Sequence, residues 1–404
     1  MSARSTASAA QGRAPAVHAS PVRLRVLGTS VSLLEPIRER AAADLGIELE
    51  YIIHDGTTAQ RIAALEPEAF DIYDQWFHNV DLIWPTRSIQ PIELARIERW
   101  DEVNALPKDG RLSAEAPRAP GGNPADRLYV QHNGELGANE ASQISMLPTV
   151  HNADSFAYLL PRDQLEPLSW AALLDSANAG AIALQSDAAI GALDAVLAVQ
   201  AAGLCAFDDP GNLTVEEIDE LVEQLIRFKR AGHFQRFWAT EAEAAELLTS
   251  GAANIASMWW QGFVRLRRAG VPVRMATPRE GYRGWYGGLA LSRCLEGRAL
   301  DAAYEYLNWW LCGYAGAVMA RNGAYMSNPA SVRPFLSEAE WAYWYEGKPA
   351  SEDLVDPYGE RIVREGESHE GGGYERRMSR VIVWDSVMDE HNYLVRRWAD
   401  LLKS

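Results

Sequence analysis

The chain has 404 residues, 48% hydrophobic and 23% charged, an ordinary balance for a soluble globular protein with room for two cored lobes. Its 38 basic and 55 acidic residues leave a formal charge of −17, which argues against a nucleic-acid partner held by clustered Lys and Arg. Three cysteines, Cys205, Cys294 and Cys312, show no CxxC or His/Cys spacing, so neither a disulfide scaffold nor a metal or other cofactor site is expected.

Residues 1–21 are rich in Ala and Ser, contain no acid, and read as a disordered tail. "AVHAS" places Val17 and Ala19 where the small residues before a signal-peptidase cut sit, yet no apolar run precedes them. A missing upstream segment and an ordinary N-terminus both account for this. "VRLRVLGTS" alternates apolar and basic residues with the period of a strand, and "VSLLEPIRERAAADLG" follows as an amphipathic helix closed by Gly46. "IELEYIIHDG", a helix started at Thr57 or Thr58, and "FDIYDQWF" complete a β–α–β–α–β run that predicts a parallel sheet. Ligands of such sheets sit at the carboxyl ends of strands, which places Thr29, Ser30, Asp55, Asp74 and Trp76 near one rim.

A Pro/Gly-rich surface excursion comes next, and the α/β pattern restarts at "LSWAALLDSANAGAIALQSD". Helices are expected over 191–202 and 215–231, and "AANIASMWWQG" reads as a strand with a functional end, Trp260 facing a cleft and Trp259 the core. Asp187 either holds an amine or caps the helix that follows, and Asp55 carries the same ambiguity. "EGYRGWYGGLALS" combines four glycines with three aromatic rings before an apolar tail, the composition of a binding wall or of a tight core bend. Trp309, Trp310 and "EWAYWY" lie in helical patterns that predict packing, and "SHEGGGYERR" reads as a loop.

Together "IQPIELARIERWDEVN", "ASMWWQG", "EGYRGWYGGLALS", "DAAYEYLNWWL", "RNGAYMSNPASVRPFL" and "VIVWDSVMDEHNYLVRRWADLL" resemble the family 1 extracytoplasmic solute-binding proteins of ABC importers, in particular the polyamine-binding group. The resemblance covers residues 24–404. It implies an α/β, two-lobe type II periplasmic-binding-protein fold with two chain crossovers and a ligand cleft between lobes that close by hinge motion. Lobe 1 would comprise 22–152 with 285–335, lobe 2 would comprise 153–284 with 336–404, and the hinges would lie near 151–157 and 281–290. The resemblance further implies a periplasmic or extracytoplasmic monomer that hands a small amine or zwitterionic ligand to a membrane permease.

By the same resemblance Trp285 and Trp260 are the aromatic walls of the ligand cleft, with Tyr286 and Tyr325 beside them; paired indoles suit an alkyl-ammonium. In the polyamine-binding group an Asp two residues after the Trp takes an ammonium, and here that position is Gly287. This departure favours a ligand with one ammonium, such as a GABA-like ω-amino acid, whose carboxylate would need Arg283, Arg321 or the helix N-terminus after Asp187. The alternative keeps polyamine binding and supplies the charge from Asp74 or Asp187. No GxSxG, P-loop, HExxH or GxGxxG occurs. An enzyme on the same bilobal fold, a thiaminase-like transferase, would need Cys205 or Cys294 in the cleft, and a ferric-ion receptor would need paired tyrosines.

Overall fold

The structure, a computed structural model, describes residues 21–160 and 169–404. The predicted tail up to residue 20, and Leu168 at the opening of the second unit, lie outside the described residues. Strand β1 (Arg23–Gly28) pairs in parallel with β2 (Glu48–Ile53) on one side and β3 (Ile72–Trp76) on the other. Helix α1 (Glu35–Leu45) ends where Gly46 takes φ 65°, and α2 (Gly56–Leu65) starts at Asp55, whose side chain accepts from the Thr58 amide. Asp55 is therefore a helix cap. Gly28 is required for another reason: a Cβ there would run into the Asp74 carbonyl of β3.

The second unit has the same logic. Strands Ile182–Gln185, Phe234–Trp238 and Ile255–Met258 form a parallel set covered by the helices Ala188–Ala201 and Val215–Arg230. A capping box of Thr214 and Glu217 starts the latter, and Ile218, Leu221, Val222 and Leu225 form its buried stripe. "IASM" stops as a strand at Met258, and Trp260 already opens the helix Trp260–Arg268. The expected strand alternation therefore does not reach Trp259 and Trp260.

Two long strands join the units. Leu147–Leu159 and Tyr282–Ser292 run antiparallel to each other, from Arg283 opposite Asp154 to Leu289 opposite Leu147. The first strand goes on to pair Ser155–Tyr158 with Ile255–Met258, while the second pairs Gly287–Leu291 with β3. The result is one continuous sheet with a lobe at each end and its crossing point at residues 152–155. A further connection runs beside them. Val381–Trp384 pairs with Tyr282–Gly284, and the C-terminal helix His391–Lys403 then packs on the helices of the second unit. "SHEGGGYERR" is not all loop, because its end forms the short helix Tyr374–Met378 with Tyr374 and Arg377 buried.

Candidate functional site

Between the lobes lies a cavity of about 260 Å³ at the carboxyl ends of the strands. Thr57, Trp76 and His78 line it from the first lobe, Asp187 and Ile190 from the second, and His391 from the C-terminal helix. Trp76 is held flat over the start of α2, where a Cβ on Gly56 would strike its ring. Asp187 does both things expected of it: its carboxylate accepts from the Ala189 and Ile190 amides at 2.9 and 3.1 Å while the residue lines the cavity. Burial raises its pKa, against the lowering effect of those amides and of the Thr57 hydroxyl facing it from the other lobe. His78 is pushed down to about 3, chiefly by burial and then by His391 and nearby arginines, so it stands in the cavity as a neutral imidazole.

The lobes touch across this cleft. The Ser30 hydroxyl donates to Glu241 at 3.0 Å, and the Trp76 and Trp259 rings meet edge to face with Trp238 behind. Trp259 is thus the indole that faces the other lobe. Trp260, one position on in a helix, turns away to stack on His369 at 4.9 Å, with the Arg377 guanidinium 4.7 Å from its ring. Thr29 stays at the turn after β1, where its hydroxyl accepts from the Val31 amide. Asp74 lies under Ser32, whose hydroxyl donates to it at 2.8 Å, and burial lifts its pKa to about 7.

The residues of "GWYGG" separate because neighbours on a strand face opposite ways. Trp285 is opposite Asn152 and buried, on the face it shares with Arg283. Tyr286 stacks on His151 at 4.7 Å and shares a hydrogen bond with Ser327. Tyr325 sits in the same nest, 4.8 Å from Tyr374, whose hydroxyl is paired with His151 and Asn104. Burial raises the hydroxyl pKa of Tyr286, Tyr325, Tyr345 and Tyr374. Among the predicted residues, then, Trp76 and Asp187 line the cavity together, Ser30 bridges the cleft beside them, and the others pack elsewhere. Thr57, His78 and His391 also line the cavity, and Trp259 meets Trp76 across the cleft; none of the four was expected there. Thr57 was legible as a helix start at a strand end, but the other three carry no local signal.

The groups considered for a ligand carboxylate are committed within the chain. Arg283 is fully buried among Asp154, Asp194 and Asp385. Arg321 is bidentate to Glu340 at 2.5 and 2.9 Å, and the Asp187 side chain already takes the helix amides. At Gly287 a Cβ would come within 2.9 Å of Val150 Cγ2. Cys205 lies outside the cavity with its thiol pushed up to about 12 by burial and by Glu220, and Cys294 is exposed.

Two α/β lobes on one continuous sheet, closed over a cavity at their strand ends, define a two-lobe binding protein of the type II periplasmic class. The sequence profile of the family described as bacterial extracellular solute-binding protein matches residues 145–359, and the chain belongs to that family. No curated protein sequence matches the chain. Among solved structures it is similar to the Tp0655 (TpPotD) lipoprotein of Treponema pallidum, with TM-score 0.67, 9% identity, and coverage of 95% of this chain and 100% of that one. It is likewise similar to the spermidine/putrescine ABC transporter substrate-binding protein PotD of Streptococcus pneumoniae, with TM-score 0.63, 12% identity, and coverage of 95% and 98%. The Atu4243 GABA receptor gives 0.57, 13%, and coverage of 95% and 97%. These likenesses are likenesses of fold. No helix among the described residues is long and apolar enough to cross a membrane.

Proposed function

We propose that this protein is the periplasmic receptor of an ABC importer, non-enzymatic, which closes its lobes on a small amine and presents it to a membrane permease. The observation that carries this reading is the pairing of Trp76 from one lobe with Asp187 from the other in a single interlobe cavity. An indole face and a buried carboxylate are what an alkyl-ammonium needs: a quadrupole to lie against and a counter-charge for its head. The structural relatives whose names specify spermidine, putrescine or GABA supply the ligand class. Within it, a plain amine is favoured over a zwitterion, since Arg283 and Arg321 are already neutralised by carboxylates. Titration calorimetry of the full chain with putrescine, spermidine, GABA and a simple mono-amine tests this. Binding of putrescine or spermidine at least tenfold tighter than GABA, about 1.4 kcal/mol, is expected. Tighter binding of GABA overturns the plain-amine reading, and turnover of any of these compounds overturns the receptor reading.

A further inference from the structure

The interlobe cavity is chemically divided along the C-terminal helix. Its polar groups stand together: Thr57 and His391 both act on Asp187, and His391 acts on His78. The indole N–H of Trp398 donates to the Ser186 carbonyl at 2.8 Å and ties the middle of the helix beside Asp187. The helix His391–Lys403 buries Leu394, Trp398 and Leu401. A second apolar row on the same helix, Val395, Ala399 and Leu402, lines the cavity. These positions follow the helical repeat, and the row is about 10 Å long. Val395 is 42% and Leu402 38% exposed although the lobes already touch, so this row remains uncovered. Leu82 lines the same cavity from the first lobe.

Charge is equally one-sided. Among the described residues that line the cavity Asp187 is the one carboxylate, and none is Lys or Arg. The Ala189 and Ile190 amides both bind its Oδ1, which leaves Oδ2 to the Thr57 hydroxyl and to a ligand. His391 Nδ1 is buried without a hydrogen-bond partner and accepts a further N–H when the ring carries its proton on Nε2. Burial favours the neutral form of both imidazoles, which can accept hydrogen bonds without supplying charge. The polar end therefore neutralises one ammonium. A second ammonium on the same molecule would lie along the apolar row, where no carboxylate meets it.

We infer that the ligand is a singly charged amine with a hydrocarbon tail: the ammonium sits between Asp187 and His391, and the tail lies along Val395, Ala399 and Leu402. The inference rests on the amine-receptor reading above and narrows it, because an amine with a charge at each end matches only one end of this cavity.

Titration calorimetry of the full chain with a matched series tests this. From n-propylamine through n-butylamine and n-pentylamine to n-hexylamine, binding should tighten about fourfold for each methylene buried. n-Hexylamine should bind at least about tenfold more tightly than hexamethylenediamine, which has the same length and a second ammonium. Val395→Asp, at an exposed helix position, should weaken n-hexylamine and tighten hexamethylenediamine, because it places a carboxylate in the apolar row. Leu402→Gln should flatten the dependence on chain length if the first variant does not fold. Diamine binding as tight as that of n-hexylamine, an affinity independent of chain length, or a folded Val395→Asp with unchanged preference overturns the inference and leaves the amine receptor standing. Failure of every amine to bind overturns both.

Discussion

Trp76 of the first lobe and Trp259 of the second meet edge to face, their ring centroids 5.4 Å apart, and so join the two lobes through the ring that also lines the cavity. Both rings are buried at 8% exposure in the same core that holds Trp260, which keeps 1%. Trp76→Ala should weaken amine binding by about 1–3 kcal/mol, because that ring lines the cavity, while Trp259→Ala should act on binding only through its contact with Trp76. Trp260→Ala, which removes the ring between His369 and Arg377, should instead cost about 3–5 kcal/mol of stability. Calorimetry with putrescine and urea unfolding of the same three variants separate the effects. Loss of binding in Trp260→Ala without loss of stability would contradict this division.

Restoring the carboxylate of the polyamine-binding group should fail on steric grounds. In Gly287→Asp the new Cβ lies 2.9 Å from Val150 Cγ2 and 3.4 Å from the Val150 carbonyl, on a strand with little room to move. The single variant should lose about 1–3 kcal/mol of stability, as overpacked cores do. Adding Val150→Ala should recover much of that loss, and because Gly287 lies outside the cavity lined by Trp76 and Asp187, neither variant should gain affinity for spermidine. Unfolding midpoints for the two single variants and the double variant check the coupling, and additive effects would rule it out.

How far this was legible in the sequence depends on distance along the chain. β1, β2 and β3 announced themselves through period-two alternation broken by Gly28 and Gly46, signals contained within a few residues. Strand alternation carried two residues past Met258 exchanges Trp259 and Trp260, because a helix begins at Trp260 and side-chain directions change there. The resemblance puts Tyr286 beside Trp285 at the ligand, although neighbours on a strand face opposite ways. The buried cluster around Arg283 gathers positions 154, 194, 283 and 385, which no local pattern connects. One trace of it was there: Asp194 is the lone charge in "AAIGALDAVLAVQA", a helix whose Leu193, Ala195 and Val196 are fully buried.

Buried histidines give the acid limb of stability its shape, His369 being pushed well below its ordinary value along with His78 and His151. His78 and His151 are each pushed down to about 3, chiefly by burial, from an unfolded value near 6.5. The unfolded chain therefore binds more protons than the native one between those values, and the stability of the neutral forms is lost as pH falls through that window. His151→Gln should make the unfolding midpoint less steeply dependent on pH below about 6.5, at a constant cost for the altered contact with Tyr374. An unchanged slope in that variant would mean that His151 is protonated in the native state.

The carboxylates act with the opposite sign, and Asp154 isolates the effect. Its pKa is raised by burial from 3.8 to about 7, so the native state binds more protons than the unfolded state across that interval and stability falls as pH rises through it. Asp74 and Asp385 carry the same sign, which offsets the histidines below about 6.5 and leaves the carboxylates in charge just above it. Asp154→Asn removes one such group without changing the volume of the side chain. Below about pH 3.8 wild type and variant should be equally stable within about 0.5 kcal/mol, because Asp154 is then protonated in both the native and the unfolded state. At about pH 8 the variant should be the more stable by about 1–3 kcal/mol, because the wild type there buries a charge whose two oxygens have no hydrogen bond. Urea unfolding at both values gives the difference directly. A variant less stable than wild type at pH 8 would show that Asp154 is a needed counter-charge for Arg283, and the cluster would then be an ordinary ion-pair network with all three carboxylates ionised.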